Sequence, residues 1–297
     1  MGFWFLLLWV FTLGTIVGSF LNCLVYRLKE NKSFARGRSF CPKCKHILSW
    51  PDLIPILSFV WLGGRCRYCG QKISFQYPIV EIITGLLFVV AANYELRLPA
   101  ITLAQAGITN YEFSALNWPV TIKLFSLWFI SSCLIAIFIY DLKHYLIPDK
   151  VLYPAIAATF LYKTLAVLDC GNLNFGCVSD FGFRISDFHP LQQALLAGVG
   201  ASLFFLLIWF VSRGQWMGFG DVKLALLLGL FLGWPSIVVA LFSAFLIGAV
   251  AGIILLILGL KKMKSEVPFG PFLITGTFIG LFWGQQIVSW YLSMFIY

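Results

Sequence analysis

Charge is what this sequence of 297 residues has least of. Charged residues make up 11% of it, against about 25% in a typical soluble domain. Acids are the scarcer sign, 12 Asp and Glu against 21 Lys and Arg. A chain so poor in charge cannot clothe a soluble globule. Other absences narrow the field further. No stripe of basic residues interleaved with aromatics lies on a soluble face, so the net charge of +9 does not read as a nucleic-acid footprint, and no nucleic-acid partner is expected. No G-x-G-x-x-G follows a strand-like run, which excludes the usual dinucleotide cradle. No basic segment precedes the apolar run Met1–Val25 and no A-x-A-like site follows it, so it reads as a retained first helix with its N-terminus outside and not as a signal peptide. Heptads, internal repeats and low-complexity tracts are missing too.

What is present is hydrocarbon. Hydrophobic residues reach 60% and the mean hydropathy is +0.91. About 20 apolar residues cross a bilayer, and runs of that kind recur along the chain. The expected fold is an all-α polytopic membrane protein of about eight transmembrane helices with a small cytoplasmic loop domain. Residues 1–25 form the first span and 26–77 the loop domain. Residues 78–119 hold a second span, to Tyr94, and a periplasmic loop. Residues 120–297 hold the remaining spans, at 120–140, 151–168, 191–211, about 224–234, 236–260 and 272–297. The sixth run is only about 11 residues long, so that helix should be tilted, broken or shielded by protein. Cations set the orientation. Ten of the 21 fall between Arg27 and Lys72, and most others fall in 141–150, 212–223 and 261–271. Basic loops face the cytoplasm, which puts these four segments on one side, in a membrane whose lipid is the chain's constant partner. Nothing in the pattern sets an oligomeric state.

Four cysteines lie in the loop domain as Cys41-x2-Cys44 and Cys66-x2-Cys69. The 21 residues between the pairs are one more than the usual range for a four-thiolate zinc site. Each pair makes a tight knuckle offering two thiolates to one tetrahedral ion, and a loop this small buries too little apolar area to hold itself together. Two disulfides are the other reading, disfavoured in a reducing cytoplasm. Structural zinc is therefore expected, and His46 is expected to be a surface residue. Cys170 and Cys177 lie in a second polar loop, 169–190, where either a small disulfide or two free thiols fits.

Two polar stretches interrupt the later spans. One is Asp141-Leu142-Lys143-His144-Tyr145-Leu146-Ile147-Pro148-Asp149. The other is Gly218-Phe219-Gly220-Asp221-Val222-Lys223. A carboxylate at the edge of hydrocarbon is expensive; the cost starts at about 2.5 kcal/mol for a charged residue at a helix centre, and such residues usually mark function. An even number of spans between the two stretches puts Asp141 and Asp221 on the same face, as an acid/base pair requires. Asp149 competes for the role, but after Ile-Pro it reads better as the cap of a helix starting at Lys150, and Pro148 should break the helix before it. Gly218 and Gly220 are expected to allow positive φ or close approach of a substrate backbone. Lys223 either pairs with a carboxylate or substrate, or snorkels. In the N-terminal part, Gly18 reads as packing, Asn22 in an apolar helix as packing or site, and Glu81 as an ion-pair partner of a nearby Arg or a site residue.

Together, Gly-x-Gly-Asp-x-Lys, the Asp141–Asp149 stretch and the two cysteine pairs resemble the type IV prepilin peptidases. Gly18-Ser19-Phe20-Leu21-Asn22, Trp50–Pro55 and Pro268-Phe269-Gly270-Pro271-Phe272 are also similar to elements of that family. The resemblance spans residues 18–272. It implies an aspartic endopeptidase of the bacterial inner membrane that cuts the basic leader from a prepilin or pseudopilin on the cytoplasmic side. It also implies methylation of the new N-terminus from S-adenosylmethionine, with Gly18, Asn22 and Glu81 as candidates for the donor site. The alternatives from other classes are a transporter with membrane carboxylates and a secretion scaffold in which carboxylates and zinc are structural.

Overall fold

The computed structural model describes residues 2–30, 37–105, 118–172, 190–259 and 267–294. Apart from two isolated antiparallel bridges, the described residues are helix, turn and loop. The helices are α1 (Gly2–Lys29), α2 (Leu57–Trp61), α3 (Gln76–Gln105), α4 (Trp118–His144), α5 (Asp149–Asn172), α6 (Pro190–Val211), α7 (Phe219–Leu232), α8 (Ser236–Ile257) and α9 (Gly270–Ser293), with a 3-10 turn at Trp50–Leu53. Eight of the nine match the eight expected spans, but by length and composition six of the described helices can cross a membrane: α1, α3, α4, α6, α8 and α9. The chain is a polytopic membrane protein. Helix α3 carries on past Tyr94 to Gln105, where a loop was expected. Cys177 and Lys261, Lys262 and Lys264 lie outside the described residues, as does the side chain of Cys170.

The chain divides into two compact units, Met1–Ala136 and Ile137–Tyr297. In the first, α1 packs along α3. Small residues make the seam: a Cβ on Gly14 would stand 2.7 Å from Gly85 Cα, and one on Gly18 would stand 2.8 Å from Glu81 Cα. Such close approach of backbones replaces the hydrophobic drive that lipid cannot supply. Farther along, Phe88 stacks on Trp128 with centroids 5.0 Å apart, and the indole Nε1 donates to the Phe88 carbonyl at 3.2 Å. The cysteine-bearing segment is inserted between α1 and α3.

In the second unit α7 is the hub, packed by α5, α6, α8 and α9. Its 14 residues span about 21 Å at 1.5 Å each, too short for a hydrocarbon core of about 30 Å. The expected shielding by protein is seen, since Leu224, Ala225, Leu227 and Leu228 are wholly buried. Gly229 lets α6 close on it, for a Cβ there would stand 2.5 Å from Gly198 Cα. Helix α4 ends where Pro148 requires. Tyr145 turns left-handed at φ 55°, a common helix stop, and the Pro148 carbonyl accepts the N–H groups of Val151 and Leu152 to start α5.

Candidate functional site

Both motif acids are buried in the second unit: Asp141 is 4% exposed and Asp221 8%. Asp221 is the third residue of α7, and Gly218 is its N-cap. The three-residue spacing brings the Asp221 carboxylate back to the Gly218 N–H, half of a capping box. Asp141 stands in the last turn of α4 and takes the N–H of Gly270, the first residue of α9. Each carboxylate thus sits on the positive end of a helix, where free N–H groups and the macrodipole favour negative charge. They are close enough that the charge of Asp141 acts on Asp221.

The glycines of the site provide space and not unusual φ. Gly218 has φ −73°, and Gly220 is helical. A Cβ on Gly220 would press on Ile147 at 3.1 Å, so the two acidic stretches pack directly on one another. Gly270 is the most demanding, since a Cβ there would fall 2.5 Å from Asp141 Oδ2. In the sequence that residue stands within the family-like Pro268–Phe272 element, with no link to Asp141. The signal available was a glycine fixed between Phe269 and Pro271, with Pro at the start of a helix.

Asp149 departs from its expected role. It opens α5 itself, and its carboxylate accepts from Lys223 Nζ at 2.9 and 3.0 Å. The Lys223 ammonium also stands over the rings of Tyr153 at 5.3 Å and Phe219 at 5.7 Å, a cation–π pairing. Lys223 therefore pairs with a carboxylate, the first of its two sequence readings, and ties α7 to α5 two residues beyond Asp221.

In the first unit the four cysteines converge. Their ligand atoms lie within 4.8 Å of one another, and Cys41 Sγ is 4.0 Å from Cys69 Sγ. Tetrahedral thiolates at about 2.3 Å from an ion stand about 3.8 Å apart, so the four fit one metal ion. The two knuckles repeat each other at the backbone. Cys41 N–H donates to His46 O and Lys45 N–H to Cys41 O; Cys66 N–H donates to Gln71 O and Gly70 N–H to Cys66 O, all at 2.9 Å. Bridges Phe40–Ile47 and Arg65–Lys72 close them, and Lys45 and Gly70 share a left-handed backbone, φ 61° and 63°. This local repeat is hidden in sequence because glycine stands at only one of the two left-handed positions. Burial works to raise the Cys41 thiol, but the N–H groups of Cys44 and Lys43 outweigh it and bring it down to about 7, toward the thiolate that ligates metal. His46 is exposed, as expected, and stacks on Tyr68 at 3.7 Å.

Asp52, within the Trp50–Pro55 element but given no role of its own from sequence, stitches the segment. Its Oδ2 accepts from Ser49 N and Oγ at 3.2 and 2.7 Å and from Tyr68 OH at 3.2 Å. Arg67 Nε stands 2.9 Å from Oδ1. Burial opposes the charge, yet the Ser49 donors and the Arg67 cation hold this carboxyl below its ordinary value.

The α1–α3 seam collects the other candidates. Asn22 Nδ2 donates to the carbonyls of Gly18 and Tyr77, both at 3.3 Å. Glu81, read from sequence as an ion-pair partner of an Arg or a site residue, is buried and accepts the Ile56 N–H at 2.8 Å and a bond from Ser19. Gly18, Asn22 and Glu81 are thus one cluster. Ile56 has φ 60° and ψ −53°, and Leu57 N–H closes on Pro55 O. That is the rarer, strained γ-turn, on a β-branched residue that ordinarily avoids positive φ.

The second unit thus places a buried carboxylate pair on two helix N-termini in a polytopic membrane protein. Family comparison carries this further. Residues 12–94 match the Bacterial Peptidase A24 N-terminal domain, and residues 128–253 match the Type IV leader peptidase family. The chain is similar to proteins named prepilin leader peptidase/N-methyltransferase. The relative from Aeromonas hydrophila is 31% identical, with 97% of this chain and 94% of that protein covered. The Aeromonas salmonicida (strain A449) relative is 30% identical, covering 96% and 93%. The Bacillus subtilis (strain 168) relative is 30% identical, covering 96% and 97%. No solved structure matches the chain. The chain belongs to the type IV leader peptidase family.

Proposed function

We propose that this chain is a membrane aspartic endopeptidase that removes the basic leader of a type IV prepilin or pseudopilin and then N-methylates the new N-terminus. The observation that carries the reading is the pair Asp141 and Asp221, buried in one unit, within electrostatic range, each on a helix N-terminus. The names of the relatives support both activities.

Two carboxylates sharing one proton hydrolyse a peptide without a covalent intermediate. The ionised member takes a proton from water as its oxygen attacks the scissile carbonyl. The protonated member donates to that carbonyl oxygen. Collapse of the tetrahedral adduct breaks the C–N bond, and the leaving amine takes a proton back from the pair. Gly270 and Gly218 hold the two carboxylates by their N–H groups, and the Lys223–Asp149 pair fixes α7 against α5.

The four thiolates of Cys41, Cys44, Cys66 and Cys69 hold structural zinc in this reading, the ion that favours a closed tetrahedral thiolate site. Methylation draws on S-adenosylmethionine, with Gly18, Asn22 and Glu81 as the candidate donor site. The cation-rich segments orient the chain in the bacterial inner membrane with the acid pair facing the cytoplasm. The test is incubation of purified protein with a prepilin and S-adenosylmethionine, reading product mass. Loss of the leader with gain of one methyl group supports the proposal; an uncut prepilin overturns it.

A further inference from the structure

The metal-binding segment carries a surface that its fold leaves bare. On α2, Leu57, Val60 and Trp61 are 56%, 68% and 77% exposed. Their i, i+3, i+4 spacing puts them on one face. On the 3-10 turn before it, Trp50 and Leu53 are 78% and 41% exposed, and i, i+3 residues eclipse in that helix. Phe59, on the other side of α2, is half-buried and meets the ring of Phe75 at 5.4 Å. Five apolar side chains on adjacent turns are thus exposed.

The depth of this surface is fixed by one hydrogen bond. Ile56, just before α2, donates its N–H to Glu81. Glu81 lies inside the apolar helix segment Gln76–Glu95, five residues, or about 7.5 Å along the axis, from its start. Side chains lean toward the helix N-terminus, so Glu81 reaches back toward the membrane surface. The strained turn at Ile56 is therefore held at the level of the first turns of a membrane span, and α2 leaves from there. The polar part of the segment has the matching charge. Residues 37–75 hold six Lys and Arg and a single acid, Asp52, which Arg67 already engages.

We propose that Trp50, Leu53, Leu57, Val60 and Trp61 form an interfacial anchor, lying in the boundary between headgroups and acyl chains of an anionic bilayer and fixing the metal-binding segment at the membrane surface. Tryptophan and leucine beside cations are the composition such surface-lying elements use. The basic residues around them add attraction to anionic headgroups, about 1 kcal/mol per cation near the surface.

The test places a photoreactive p-benzoylphenylalanine at Trp61, at Val60 or at Lys43 in the full chain. Each variant is reconstituted in vesicles of phosphatidylethanolamine and phosphatidylglycerol, with metal content checked first. After irradiation, mass spectrometry reads the adduct. The expected result is lipid adduct from positions 61 and 60 and none from Lys43, which is exposed on a knuckle. Adducts from 60 and 61 to residues 137–297, to a second copy of the chain or to an added prepilin, or no adduct at all, overturn the proposal.

Discussion

Gly270 is the residue on which the acid pair is most sensitive. It gives Asp141 an N–H and leaves no room for a side chain, since its Cβ would meet Asp141 Oδ2 at 2.5 Å. Gly270→Ala should therefore push the carboxylate off its donor without touching either acid. The expected outcome is a loss of cleavage of at least about tenfold, within the range that acid/base positioning commands, with the protein still inserted and α-helical. Initial cleavage rates of a prepilin measure it, and an unchanged rate removes Gly270 from the machinery. Asp141 and Asp221 were legible because a carboxylate in hydrocarbon is too costly to be incidental. Their partners were not, because a backbone N–H carries no side-chain signature. Asp149 shows the same limit. A carboxylate after Pro reads as a cap, and only the folded chain brings Lys223 within 2.9 Å of it.

At the scale of elements, α7 carries the strongest claim. A helix too short to span a bilayer survives because four others cover it, and α6 reaches it over Gly198 and Gly229. Gly229→Ala puts a methyl group 2.5 Å from Ala197 O and Gly198 Cα, both of them backbone, which cannot step aside. Overpacking of this kind costs about 1–3 kcal/mol. Thermal unfolding in detergent should show a lowered midpoint for Gly229→Ala and little change for Gly252→Ala, where nothing lies within 4 Å. Equal midpoints in the two variants would contradict the hub role. Hydropathy located this helix and its short length; it could not say what shields it, because packing partners are set by tertiary contact and not by local pattern. The end of α4 was legible for the opposite reason, since Pro148 acts on its own neighbours. The continuation of α3 to Gln105 was not legible because Pro99, which ordinarily ends a helix, and the polar Arg97, Thr102 and Gln105 lie in that stretch.

Across the whole molecule the two units divide the candidate chemistry. The acid pair lies in Ile137–Tyr297, and the cysteine cluster and the Gly18–Asn22–Glu81 seam lie in Met1–Ala136. Peptide hydrolysis by two carboxylates has no need of thiolates. Cys66→Ser should therefore lower metal content below about one ion per chain and reduce methylation more than cleavage. Supplying the variant with a prepilin and a labelled methyl donor measures both products. A structural metal can hold a whole module, so the comparison is made on protein with native helical content. An equal fall in both activities would assign the cysteine cluster to the peptidase or to the whole fold. The class of this molecule, a polytopic helical membrane protein with a pair of cysteine knuckles that could hold a metal ion, was open in the composition and the cysteine spacing. Its division inside α4 was not, for one continuous apolar helix gives no hint of where its contacts change.

The central claim is that Asp141 and Asp221 act together on a peptide bond. Its most direct measurement is the mass of a prepilin after incubation with purified wild-type protein, Asp141→Asn, Asp221→Asn and Asp149→Asn. The account predicts leader removal by the wild type, a loss of at least about 100-fold in each of the first two variants, and a milder loss in the third, whose carboxylate holds Lys223 and not the substrate. Full cleavage by either Asp141→Asn or Asp221→Asn would contradict it.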